Sequence, residues 1–325
     1  MRTLILVAAT FAATLGSIGT PTAQVYPSRP ISMGMPFAAG GAGDTIARIL
    51  AERMRASLGQ PIIVENVTGA GGSIGAGRVA HAAPDGYTLI LGNWATHVVN
   101  GAVLTLQYDV LKDFEPVSLV ATQPMLLVAK KAMPAKDLKE LIAWLKANPD
   151  KASQGSAGVG SATHIAGVFF QKETGTRLPL VTYRGSAPAM QDLVAGQIDL
   201  IIDLPGNALP QARAGTIKAY AVTAKSRLAA APDIPTVDEA GLSGFYISVW
   251  YALWAPKGTL KDVIAKLNAA VKDALADPAV RQRLSELGNA IPPREQQTPE
   301  ALGAYHKAEV EKWWPIIKAA NIKTE

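Results

Sequence analysis

Ile31-Ser32-Met33-Gly34-Met35 runs into Pro36-Phe37-Ala38-Ala39-Gly40-Gly41-Ala42-Gly43-Asp44, a short apolar stretch that breaks into glycine and restarts with a helical period. Ile46, Ile49, Leu50 and Met54 then recur every three or four residues until Gly59. Residues 44–58 therefore read as an amphipathic helix behind a strand at 31–35. Outward from this unit the rhythm repeats. A strand at 62–65 precedes a helix at about 73–82, and the turn Pro84-Asp85-Gly86 leads into a strand at 87–91. The βαβαβ order predicts parallel strands covered by helices on both faces. It resumes with a strand at 125–129, helices near 137–147 and 161–172, and a strand at 180–183. A helix at 187–195 closed by Gly196 and strands at 198–202 and 218–222 follow. The last third reads as helices at 261–275, at 279–287 and from Thr298-Pro299 onward, with Pro315 expected to kink or end the final one.

On such a scaffold a ligand binds beyond the carboxyl ends of the strands, where helix N-termini point. Two junctions have the required character. One is the loop from Pro36 to Asp44; the other is Gly155-Ser156-Ala157-Gly158-Val159-Gly160-Ser161-Ala162-Thr163-His164, which opens a helix in the middle of the chain. Glycine lets the backbone approach a ligand, and free N–H groups at a helix start are donors for an anion. One such loop is equally well a tight turn; two in separate halves of the chain favour a shared anion site. His164 is either a hydrogen-bond partner of the ligand or the cap of its own loop. Asp203, at the carboxyl end of a strand, either caps the next turn or accepts a donor from the ligand. Asn93, Trp94, Ala95 and Thr96 follow the strand at 87–91 and are candidates to read the body of the ligand, Trp94 by stacking unless it is a core residue. Trp250, Trp254, Trp313 and Trp314 read as packing residues.

Other chemistries find no support. Gly75-Ala76-Gly77-Arg78-Val79-Ala80 fits the loose dinucleotide pattern G-x-G-x-x-A, but inside a helix rather than at a strand exit. Gln154 stands where a nucleophile elbow G-x-S-x-G needs glycine before Ser156, and Phe245 breaks the same pattern after Ser243. His81, His97, His164 and His306 form no metal-binding spacing, so no metal or cofactor is expected. The chain has no cysteine, which removes disulfides and thiolate chemistry. Across 325 residues, 49% hydrophobic and 18% charged, the composition is that of a packed globular protein. Its net charge of +5 comes from scattered lysines and arginines, with only Lys130-Lys131 adjacent, so nucleic-acid binding is not expected.

The first 23 residues read as an address. Arg2 supplies a positive start, residues 4–15 are apolar and alanine-rich, and residues 17–23 are small and polar. That is the order of a secretory signal peptide, with cleavage after Ala23 favoured over Gly19. The apolar run is shorter than the roughly 20 residues that span a bilayer.

The combination of phrases resembles the extracytoplasmic receptors of the tripartite tricarboxylate transporter family, the Bug proteins. Its carriers include Tyr26-Pro27-Ser28-Arg29-Pro30-Ile31, the Pro36 to Asp44 loop, Leu58-Gly59-Gln60-Pro61 and Gly69-Ala70-Gly71-Gly72-Ser73-Ile74-Gly75. Pro84-Asp85-Gly86-Tyr87-Thr88-Leu89, Asp113-Phe114-Glu115-Pro116-Val117, the Gly155 to His164 segment, Tyr183-Arg184-Gly185 and Gly196-Gln197-Ile198-Asp199 continue it. The resemblance implies an α/β, two-lobed periplasmic-binding-protein fold of type II character, with a cleft between Rossmann-like lobes. It places chain crossings near 122–125 and 243–247. Residues 24–123 and 245–325 then form lobe one, and 124–244 lobe two. It implies carboxylate binding by backbone N–H groups, which on this chain points to Phe37, Ala38, Ala39, Gly40, Gly41 and the neighbouring Asp44 from lobe one. From lobe two it points to Ser156, Gly160, Ser161, Ala162, Thr163 and His164. Trp94, Thr96, Arg184 and Asp203 complete the candidate set. Ala42-Gly43, Ile165 and Arg184 depart from the usual Ala-Thr, Leu and Lys, and each could tune the ligand.

The implied function is a monomeric periplasmic receptor, not an enzyme. It would capture a small organic carboxylate (a di- or tricarboxylate, an aromatic acid or an acidic amino acid) and deliver it to a two-component membrane permease. A sensor partner built on the same fold is the alternative, and a periplasmic hydrolase a distant one.

Overall fold

The computed structural model describes residues 26–320 apart from Ala38 and Arg184; the expected leader lies outside the described residues. The chain forms β1 (Ile31–Met35), α1 (Ala42–Leu58), β2 (Ile62–Asn66), α2 (Ser73–Ala80), β3 (Thr88–Asn93), α3 (Asn100–Val103) and β4 (Phe114–Pro124). It continues through β5 (Leu126–Lys130), α4 (Leu138–Ala147), β6 (Gln154–Ser156), α5 (Ala162–Thr174), β7 (Leu180–Thr182), α6 (Ser186–Ala195), β8 (Leu200–Asp203), α7 (Pro205–Arg213) and β9 (Ile217–Val222). It ends with β10 (Ser248–Pro256), α8 (Lys261–Ala276), α9 (Pro278–Glu286) and α10 (Pro299–Ala319). The strands make two five-stranded sheets, ordered β2-β1-β3-β10-β4 and β7-β6-β8-β5-β9.

The sheets are mixed rather than wholly parallel, a correction to the βαβ reading. β10 runs antiparallel to both β3 and β4, and β5 antiparallel to both β8 and β9. The reason is topological. Each of these strands enters its sheet from the other one instead of through a crossover helix, so it comes in at the opposite end. β4 and β10 pair along their length, from Ser248 opposite Pro124 to Pro256 opposite Phe114. Neither showed in the hydrophobic periodicity, because both are buried on both faces and carry no alternation.

Each sheet is covered on both sides. On the first, Ile46, Leu50 and Met54 of α1 meet Leu267 and Val271 of α8 over Met33, Leu89 and Leu253. On the opposite face Val79 of α2 and Val310 and Trp313 of α10 pack on Ile90 and Trp254, and this cluster runs on into the second sheet through Leu127, Ile202 and Phe169. Trp313 carries the connection. Its ring lies edge-on to Trp94 at 5.2 Å and to Phe169 at 5.1 Å, and Phe169 stacks on Phe245 at 5.0 Å. Such pairs add about 0.5–1.5 kcal/mol each beyond the area they bury. Pro315 does not end α10, which continues to Ala319. The fully buried Ile317 and the bond from Trp314 Nε1 to Val98 O (2.9 Å) anchor the last turn against the loss of one backbone donor.

The chain leaves the first sheet after Pro124 and returns to it at Ser248. Buried Thr223 ties the two crossings together. Its Oγ1 accepts the Met125 N–H at 2.8 Å and donates to Ile247 O at 2.6 Å, while its own N–H reaches Met125 O at 2.9 Å.

Candidate functional site

The loop after β1 is built around Asp44, whose residue is only 3% exposed. Its Oδ2 accepts the Gly40 N–H and the Arg48 Nε–H, each at 2.9 Å, and its Oδ1 accepts Asn66 Nδ2 at 3.0 Å. Asn66 also donates to Phe37 O at 2.9 Å and receives Arg48 NH2 at 3.2 Å, so both ends of the loop are tied to the end of β2. The Arg48 hydrogen bond, helped by the Gly40 N–H and Asn66, lowers the Asp44 carboxyl to about 2. Asp44 is thus a brace, fully charged and fully engaged. Beyond it, the N–H groups of Ala42, Gly43 and Asp44 in the first turn of α1 have no acceptor among the described residues, and no side chain caps that helix. Gly40, at φ +81°, has nothing within 4 Å of where a Cβ would stand, which leaves the loop face open. Gly43 answers to packing. A Cβ there would lie 2.5 Å from Met35 Cε and 3.1 Å from the Tyr251 ring.

The loop after β6 is organised by side chains of α5. Ser161 caps the helix by accepting the His164 N–H at 3.2 Å and exchanging a bond with Thr163 Oγ1 at 2.9 Å. Thr163 Oγ1 in turn accepts the Ala157 N–H at 2.7 Å, and His164 Nδ1 accepts the Gly160 N–H at 3.1 Å. Burial holds the His164 ring below its ordinary pKa, so it is neutral near pH 7. With Nδ1 accepting, its proton sits on Nε2, a donor beside the helix start. The N–H groups of Ala162 and Thr163 have no acceptor among the described residues. Backbone donors at Gly160, Ser161 and His164, expected to hold a carboxylate, are occupied within the loop instead. The ready donors are therefore the first-turn N–H groups of α1 and α5 and the His164 ring. Phe37, Ala39, Gly40 and Gly41 border the first of these helix starts; Ala38 and Arg184 lie outside the described residues.

The remaining candidates lie elsewhere. Trp94 is fully buried, its ring packed edge-on against Trp313 in the aromatic core. Thr96 is also buried, its Oγ1 engaged with the Asn93 N–H (3.0 Å) and His97 Nδ1 (2.9 Å). Asp203 is buried between two helix starts, with Oδ1 accepting Ser186 Oγ of α6 at 2.9 Å and the Leu204 N–H ahead of α7 at 2.8 Å. Burial raises its pKa. Its Oδ1 is engaged at the turn into α7, while its Oδ2 is buried with no partner among the described residues. Ser156 is buried at the end of β6, and its Oγ has no partner among the described residues. Asn66, the residue that ties the first loop, was not singled out in the sequence. Among the described residues no cluster of side chains could hold a metal ion, and no helix is long and apolar enough to cross a membrane.

The model of the tripartite tricarboxylate transporter family receptor matches residues 46–322. The chain belongs to this family. Its two lobes superpose on solved receptors of the same kind. The periplasmic binding protein BugD is 41% identical with a TM-score of 0.76, over 92% of this chain and all of that one. MatC of Rhodopseudomonas palustris, solved with bound malate, is 42% identical with a TM-score of 0.76, over 90% of this chain and all of that one. Rpa4515 of R. palustris, solved with adipate, is 32% identical with a TM-score of 0.78, over 92% of this chain and all of that one. The fold expected from the family resemblance, two α/β lobes of periplasmic-binding-protein type, is the fold observed. These relatives are substrate-binding receptors rather than enzymes, and so is this family member.

Proposed function

We propose that the protein captures a linear dicarboxylate of four to six carbons in the periplasm and delivers it, as a monomer, to a two-component membrane permease of the tripartite tricarboxylate type. The observation that carries this reading is the pair of donor sets left without acceptors among the described residues, the Ala42, Gly43 and Asp44 N–H groups at the start of α1 and the Ala162 and Thr163 N–H groups at the start of α5, on loops from the two sheets. Each set suits one carboxylate. Malate and adipate in related receptors bracket the length. Hydrogen bonds to a charged group contribute roughly 1.5–3 kcal/mol each. Four or five of them, less the cost of ordering and closure, reach the roughly −8 kcal/mol of a micromolar complex.

In this reading residues 24–123 with 245–325 form one lobe and 124–244 the other. They hinge at the crossings pinned by Thr223. Residues 1–23 are a leader removed on export, so the mature chain begins at Gln24. A thermal-shift screen of malate, succinate, adipate, citrate, benzoate and aspartate, followed by calorimetry of the hits, tests the ligand class. Stabilisation by the linear dicarboxylates is expected, with a smaller radius of gyration in the complex. If none of the dicarboxylates binds, the reading fails. N-terminal sequencing of the protein from an osmotic-shock fraction tests export.

A further inference from the structure

The two crossings divide the space between the lobes into two parts. In the first sheet β1 and β3, which lead into the binding loops, lie to one side of β10 and β4; in the second, β6 and β8 lie to one side of β5 and β9. The crossing strands therefore occupy corresponding edges of both sheets, with the solute cleft on one side of them. On the other side lies a groove of about 520 Å³. Thr122, Arg281, Ser285 and Asn289 line it from the first lobe, Ser226 and Arg227 from the second. No aspartate or glutamate is among the described residues lining it.

Its donors are incompletely used. Arg281 gives NH1 to Leu275 O at a long 3.3 Å and has no acidic partner among the described residues. Arg227 is anchored by Nε to Glu239 (2.9 Å) and by NH1 to Pro232 O (2.7 Å), which leaves its NH2 without a partner among the described residues. Asn289 is 6% exposed, yet neither its Nδ2 nor its Oδ1 has a partner among the described residues. An oxyanion brings acceptors for the unused guanidinium N–H groups of Arg227 and Arg281.

We propose that this groove is a second anion site, for a small oxyanion shared between Arg227 and Arg281, and that filling it holds the solute cleft open. The inference rests on the reading of the protein as a hinged receptor. Rotation about the Thr223-pinned crossings that closes the cleft must spread the walls behind it. An anion bridging the two guanidinium groups opposes that spreading. It binds the open state more tightly and lowers the affinity for the solute by the same factor that the solute lowers its own. The device would couple solute capture to the surrounding anion level.

The test is calorimetric titration of malate with and without inorganic phosphate at constant ionic strength. It uses the wild type, Arg281→Gln and Ser285→Trp, whose large ring would wedge the groove apart. Phosphate should weaken malate binding by about fivefold in the wild type, the effect should saturate, and Arg281→Gln should abolish it. Ser285→Trp should tighten malate binding without phosphate. If phosphate weakens malate equally in Arg281→Gln, it competes in the cleft and the proposal is overturned. An unchanged malate affinity in folded Ser285→Trp refutes the coupling. If no dicarboxylate binds, the functional reading has failed instead, and the groove is read from thermal shift alone. A phosphate-induced rise in melting temperature that Arg281→Gln removes supports the anion site, and no rise overturns it.

Discussion

Replacing Asp44 by asparagine preserves shape and removes one charge, and the structure fixes the consequence. Oδ2 serves two donors, the Gly40 N–H and Arg48 Nε–H, while Oδ1 serves Asn66 Nδ2. An amide nitrogen in the first position would face two donors, so it must take the second and face Asn66. Asn66 cannot turn its own amide to compensate, because that would break its bonds to Phe37 O and from Arg48 NH2. One buried donor pair is left opposed, and the bonds to Gly40 and Arg48 lose the charged acceptor. With about 1–3 kcal/mol for an unpaired buried donor and roughly 1 kcal/mol for each bond that loses its charged acceptor, the expected loss is about 3–5 kcal/mol of stability. Solute binding should weaken as well, since the loop that presents the α1 donors loses its brace. A carboxylate that merely sat near the bound anion would behave in the opposite way, and its neutralisation would tighten binding. Chemical denaturation and calorimetry with malate read both effects. The pH dependence adds a check. The folded carboxyl titrates near 2 against an ordinary value of 3.8, so its stabilisation is complete above about 4 and fades as pH falls through about 2. The gap between wild type and Asp44→Asn should narrow over that window. Tighter malate binding, or equal stability at pH 7, would refute the brace.

Three further expectations concern the frame around the site. His97 and His306 are buried side by side, with His306 Nε2 donating to His97 O at 2.6 Å, and burial lowers the pKa of both. The unfolded chain therefore binds more protons below about pH 6.5, stability should fall as the pH drops from there, and His97→Phe should flatten that slope in denaturation midpoints. Gly43→Ala should cost about 1–2 kcal/mol, because the new methyl meets Met35 Cε at 2.5 Å and the Tyr251 ring at 3.1 Å; melting at wild-type temperature would show that Met35 swings aside freely. Thr223→Val removes the bonds to Met125 N–H and Ile247 O, and should cost about 2–3 kcal/mol while broadening the lobe-to-lobe distances that scattering reports for the unliganded protein.

Local pattern carried much of the fold. The switch from a strand into a period of three and four placed β1 and α1, and the glycine run between them marked a helix start open to an anion. Features that depend on two distant segments were out of reach. Asn66 reaches the first loop only because β1 and β2 pair with Met35 opposite Asn66, and no local signal announces that register. β4 and β10 were missed because burial on both faces erased their alternation. Trp94 and Thr96 were misplaced for a related reason. They do follow β3, but the chain coils at once into a wide π-helical turn at Ala95–Val99, and the aromatic core around Trp313 draws the indole inward. A position after a strand predicts nearness to the cleft, not the direction of the side chain.

The choice of donors has a consequence for capture and release. Among the described residues the two loops offer dipoles and a neutral imidazole, with Arg48 committed to Asp44. A full positive charge would attract any anion strongly from one lobe alone. The helix starts contribute about 0.3–1 kcal/mol each through the dipole, too little for either lobe to retain a solute by itself. In the proposed reading, binding grows steep only when both ends of the ligand are engaged at once, which requires the matching spacing of two carboxylates and the closed hinge together. The same arithmetic makes release simple. Parting the lobes removes half of the hydrogen bonds, and what remains is weaker than a micromolar complex by several kcal/mol. In the proposed design, selectivity for ligand length and the ability to let go come from one property, a site divided between two lobes with neither half sufficient.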